Sequence, residues 1–130
     1  IGFPMYVSLD EASTKHIRSS LAERLGFDCP SNNLVLVKKL DSLQFLYEEF
    51  DAVADEFSLR GAFNRIGIPI PENVFINWYR FDSIDSMAFD DLDRYFDDLW
   101  YYSSDDIDIF DASLAWIISI EHDGRIKVLK

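Results

Sequence analysis

Apolar side chains in the first fifth of the chain recur at steps of three to five. Leu9, Ala12, Ile17, Leu21 and Leu25 form one face of a predicted helix that stops at Gly26, and Ser8-Leu9-Asp10-Glu11 ahead of it matches a capping box. Residues 1 to 7 are mostly apolar and predict an edge strand or a packed lead-in. Cys29-Pro30-Ser31-Asn32-Asn33 is turn chemistry, and Leu34-Val35-Leu36-Val37 reads as a short buried strand. Asp41-x-x-Gln44 resembles a second capping box. The apolar positions after it, from Leu43 through Leu46, Tyr47, Phe50 and Val53 to Phe57, predict a long helix that Ser58 and Gly61 break. A short helical piece covers Leu59 to Arg65, and Gly67 with Ile68-Pro69-Ile70-Pro71 then makes a rigid extended connector.

Past the connector the period changes to two. Val74, Ile76 and Trp78 alternate with Phe75, Asn77 and Tyr79, the pattern of a central strand with contacts on both faces. Phe89, Leu92, Phe96 and Leu99 return to helical spacing and predict an amphipathic helix over roughly residues 87 to 100, capped at Asp85 or Ser86. Leu114, Trp116, Ile118 and Ile120 alternate again, and Arg125 to Lys130 makes a further strand. A three-residue loop, His122-Asp123-Gly124, pairs Ile120 with Ile126, Ile118 with Val128 and Glu121 with Arg125, whereas a two-residue turn would mix the faces. The reading is one α+β domain over residues 1–130: N-terminal helices, then an antiparallel sheet interrupted by an acidic amphipathic helix.

Charge changes the picture most in that helix and just after it. Between Asp82 and Asp111 there are eleven Asp and a single Arg, which accounts for minus ten of a total of minus twelve. Asp90 and Asp91 fall in the first turn, where the helix dipole favours them. Asp97 and Asp98 fall near the predicted helix end, where carboxylates cost about 0.3 to 1 kcal/mol each. Stability alone does not select the second pair. With 130 residues, 48% of them hydrophobic and 15% aromatic, the chain has ample material for a packed core. Its acidity disfavours direct contact with nucleic acid or an anionic membrane and favours a basic protein partner. No apolar run is long enough for a membrane span, no basic segment leads into a signal-peptide core, and the lone Cys29 has no disulfide partner within the chain. These features predict a cytoplasmic protein.

Candidate chemistry is sparse. His16 lies on the first predicted helix as a surface or boundary residue, and His122 sits in the hairpin loop. Neither stands at metal-ligand spacing from another His or Cys, and no Ser occupies a nucleophile elbow. The five glycines are isolated, so phosphate-binding loops are absent. Asp105 to Asp111 superficially resembles a calcium loop but lacks the turn Gly and the closing Glu. No metal, no cofactor and no catalytic residue is therefore expected. The rival expectation is a carboxylate enzyme or metal-binding protein, which requires a concave site where carboxylates converge and one of them has a raised pKa. A third is an acidic adaptor subunit.

Several stretches of the second half resemble small bacterial immunity proteins of contact-dependent growth inhibition and related polymorphic toxin systems: Val74 to Asp82, Tyr95 to Tyr101, Ser104 to Asp111, and Trp116-Ile117-Ile118-Ser119-Ile120-x-His122-x-Gly124. The resemblance covers about residues 73 to 130. It implies a cytoplasmic protein, encoded beside a toxin, that binds the toxin's C-terminal domain and blocks its active site; such toxins are often nucleases with basic substrate clefts. The residues on their own point the same way, because aromatics beside carboxylates suit a cationic surface. Asp97, Asp98, Asp105, Asp106 and Asp108 are the expected contacts to toxin Arg or Lys. Tyr101 and Tyr102 are the expected aromatic anchors, and Trp100 is expected to plug the core.

Overall fold

The computed structural model describes residues 6–26, 33–79, 81, 83–100 and 106–130. The elements in order are β1 (Tyr6–Ser8), α1 (Glu11–Arg24), α2 (Asn33–Leu43), β2 (Phe45–Leu46), α3 (Leu59–Ile66), β3 (Asn73–Tyr79), β4 (Ser83–Ala88), α4 (Phe89–Arg94), α5 (Phe96–Leu99), β5 (Ile107–Phe110), β6 (Ile117–Ile120) and β7 (Ile126–Leu129). The seven strands form one sheet in the order β1-β4-β3-β5-β6-β7-β2, and every pairing is antiparallel.

Alternation along the strands gives the sheet two apolar faces. Val74, Ile76, Ile109, Ile118 and Val128 pack with α3, α4 and α5 in one core that includes Phe63, Phe89 and Phe96. Ile84, Phe110, Ile117 and Leu129 pack with α1 and α2 in the other, against Leu21, Leu36 and Leu40. The result is a three-layer α+β domain with helices on both sides of the sheet. β3 is central, as its two apolar faces predict, and β1 lies at the sheet edge. The β6–β7 hairpin has the expected register: Ile120 pairs with Ile126 and Ile118 with Val128. Gly124 closes its loop at φ +93°. A Cβ there would run into Asp51 Oδ1 and lie 2.8 Å from Val53 Cγ2, so this turn requires glycine.

Several expectations do not hold. Leu34 to Val37 belongs to α2 rather than to a strand. Leu36 and Leu40, one turn apart, are buried on one helix face, and a run of four apolar residues cannot separate the two possibilities by itself. The long helix from Leu43 to Phe57 is absent. Asp41 lies inside α2, Phe45 and Leu46 pair with β7, and the following backbone donates to the neighbouring hairpin, Tyr47 N to Ile126 O at 2.9 Å and Ala52 N to Gly124 O at 3.0 Å. The apolar spacing there still serves burial, since Tyr47, Phe50, Ala52 and Phe57 reach the first core, but the main-chain hydrogen bonds go across rather than along. The cap of α1 is Asp10, which accepts from Ser13 N at 2.7 Å, whereas Ser8 Oγ donates to Asp85.

The acidic helix is two helices. It begins only after β4, which contains Asp85 and Ser86, so its N-cap is Ala88 with no side-chain cap. It breaks at Tyr95 (φ −106°, ψ 18°), and Asp97 and Asp98 become the first turn of the four-residue α5. The expected conflict with a helix C-terminus is therefore removed. β4 and β5 are strands that the sequence reading did not anticipate, and the predicted strand from Leu114 shortens to β6 because Leu114 takes a turn conformation at φ 53°.

Candidate functional site

The carboxylates that the sequence runs together are separated by the sheet. Asp90, Asp91, Asp93, Asp97 and Asp98 ride on α4 and α5, over the first core. Part of this group is neutralised inside the fold. Arg60 of α3 pairs with Asp90, and Asp93 accepts from Arg60 N at 3.0 Å and lies 3.5 Å from its Nε. The same guanidinium sits 5.2 Å from the ring centroid of Phe89. Asp97 and Asp98 differ: both are exposed, and among the described residues neither has an ion pair. Trp100 is buried as expected and stacks on Phe96 with ring centroids 5.5 Å apart. Tyr101, Tyr102 and Asp105 lie outside the described residues.

Asp108 points to the other face. Ile107 and Ile109 belong to the first core, so the side chain between them must emerge on the α1/α2 side, where Phe110 also packs. It joins a polar row across three central strands. Asn77 Nδ2 of β3 donates to Asp108 Oδ2 at 2.8 Å, Ser119 Oγ of β6 donates to Asp108 Oδ1, and Gln44 Nε2 donates to Ser119 Oγ at 2.8 Å. Asn77 Oδ1 in turn accepts from Phe81 N at 2.7 Å and holds that buried residue at φ 62°. Sequence reasoning missed Asn77, Ser119 and Gln44. The available signal was the polar residue recurring within otherwise apolar strands, which in a sheet buried on both faces must find partners.

A cavity of about 490 Å³ opens beside this row, lined among others by α2, Trp78, Asp41, Asp106, Glu121 and Lys127. Desolvation pushes the Asp108 carboxyl above its usual range, against the opposing effect of the Ser119 and Asn77 hydrogen bonds. Desolvation also raises Glu121 and lowers Lys127. Lys127 Nζ is held by Asp41 and, at 2.8 Å, by Glu121. Asp106, exposed at the start of β5, accepts from His122 N and lies 2.9 Å from its Nδ1, which raises the His122 pKa. His16 is exposed on α1 and borders a separate, largely apolar groove of about 460 Å³. Among the described residues, no group of three or more His, Cys, Asp or Glu side chains is arranged to hold a metal ion.

The raised Asp108 pKa has a definite sign. The folded protein holds this proton more tightly than the unfolded chain, so the penalty is absent below the ordinary carboxylate range. Stability is lost as pH rises through the folded-state pKa. Asp108→Asn lacks this titration. Thermal melts of both proteins from acid to neutral pH are expected to show the native protein losing stability relative to the variant as pH rises. A difference independent of pH would mean that the carboxyl is solvated.

No protein-family model matches the chain, and neither a curated protein nor a solved structure matches it. Among the described residues, no helix is long and apolar enough to cross a membrane.

Proposed function

We propose that this chain is a cytoplasmic immunity protein that binds the C-terminal domain of a toxin, a basic nuclease, and blocks its active site. The observation that carries the reading is the contrast within the acidic run. Arg60 pairs with Asp90 and Asp93, while Asp97 and Asp98 stand exposed and, among the described residues, meet no cation. Carboxylates left free beside buried aromatics suit pairing with Arg or Lys across an interface, and they would speed encounter with a basic surface. Asp106 and Asp108, with Tyr101, Tyr102 and Asp105, are proposed as further contacts, Asp108 at a separate point on the other face of the sheet. Co-expression with the toxin encoded beside it is expected to restore growth of a sensitive cell, and the two proteins should copurify. Absence of any complex with that toxin would remove the proposal.

One observation favours a second reading. Asp108 and Glu121 both line a cavity and both have raised pKa values, as acid-base chemistry by carboxylates would need, and either would ligate a metal ion only once deprotonated. Calorimetry with calcium, magnesium and manganese discriminates the metal-dependent form. Specific uptake at micromolar metal would favour it over the interaction protein.

A further inference from the structure

The cavity beside β5 combines an unbalanced charge with an apolar border. Asp108 is desolvated, yet its partners there are neutral donors, the Asn77 amide and the Ser119 hydroxyl. Among the described residues, Lys127 at the cavity is engaged by Asp41 and Glu121, and nearby His122 by Asp106. A desolvated carboxylate without a counter-ion is costly, and an arriving cation would relieve that cost. The border supplies what a cation on an alkyl stem needs, since Val37 and Leu40 of α2 line the space on the Asp108 side of the sheet, whereas Trp78 packs toward the first core and donates its indole N–H to Asp85 at 2.8 Å. At about 490 Å³ the cavity falls within the roughly 300 to 1,000 Å³ of small-molecule sites, ample for one side chain. Lys127 already shows that an ammonium is accommodated at this cavity.

We propose that this cavity receives one cationic side chain of a basic protein partner, with Asp108 as its counter-ion and Val37 and Leu40 against its stem. The proposal deepens the immunity reading and takes its partner from it, but the site is testable without that partner. The probe is N-acetyl-arginine methylamide, titrated into the ¹⁵N-labelled full chain, with the uncharged citrulline analogue as control. Saturable shifts are expected at the Gln44 and Asn77 side-chain amides, with half-saturation on the order of 1 mM. The citrulline analogue should leave both signals in place, and Asp108→Asn should weaken binding about tenfold or more, a loss of about 1.4 kcal/mol. Lys127→Met, which removes a positive charge that repels an arriving cation and leaves Asp108 intact, should bind more tightly; this arm holds even if Asp108→Asn fails to fold. Equal shifts with citrulline, no saturable shift, undiminished binding by a folded Asp108→Asn protein, or weaker binding by Lys127→Met would each overturn the proposal. If the probe binds but the toxin does not, the toxin reading falls and the cationic site stands. If the toxin is neutralised but the probe does not bind, only the site proposal falls.

Discussion

Replacing both Asp97 and Asp98 with Asn is expected to weaken binding to the toxin while leaving the melting temperature nearly unchanged. Both side chains are exposed and, among the described residues, pair with no cation, so the fold loses no ion pair when their charge is removed. They occupy the first turn of a helix only four residues long, where the dipole is small, and a stability change within about 0.5 kcal/mol follows. The interface should respond differently. Where each carboxylate meets a cation in a desolvated contact, its loss costs about 2 to 5 kcal/mol and appears mainly in the dissociation rate. Carboxylates at the rim would instead slow association and flatten its salt dependence. Association and dissociation rates at two salt concentrations, with thermal melts of the free proteins, separate these outcomes. Normal binding together with a markedly lower melting temperature would make the pair structural and remove it from the site.

Phe63→Ala is expected to have the largest effect on stability, about 3 to 5 kcal/mol, read as a shift in the denaturation midpoint. The ring is fully buried and makes two edge-on contacts, with Phe89 of α4 at 4.8 Å and with Trp116 at 5.1 Å between centroids. It therefore joins α3 to the acidic helix pair and to the segment leading into β6. Removing it leaves a cavity among side chains from three separated parts of the chain, and such a site collapses poorly. Because Arg60 and Asp93 bridge the same helices, part of the acidic surface depends on this packing. A loss below about 1 kcal/mol would show that the first core rearranges around the gap.

Local pattern alone determined the elements whose burial is simple. Asp10 and the apolar positions from Leu9 to Leu25 specify α1, with the cap two residues later than the box suggested. The two-faced alternation from Val74 to Trp78 specifies a central strand. Matching Ile120 to Ile126 and Ile118 to Val128 specifies the hairpin register, because a one-residue slip would expose a core face. The charge imbalance between Asp82 and Asp111 is likewise a property of the sequence.

What only the tertiary structure decided is where main-chain hydrogen bonds go and which side of the sheet each carboxylate faces. Helical spacing from Leu43 to Phe57 is real, yet the backbone there binds β7 and its hairpin, a competitor more than seventy residues away that local periodicity cannot register. The alternation Asp106-Ile107-Asp108-Ile109 was a strand signal hidden within an acidic run. Once Ile107 and Ile109 enter the first core, the pleat sends Asp108 to the opposite face from Asp97 and Asp98. Neighbours in sequence thus become two sites on two faces. Asp108 gains its polar partners, Asn77 and Ser119, from strands that sequence distance keeps apart and only pairing brings together.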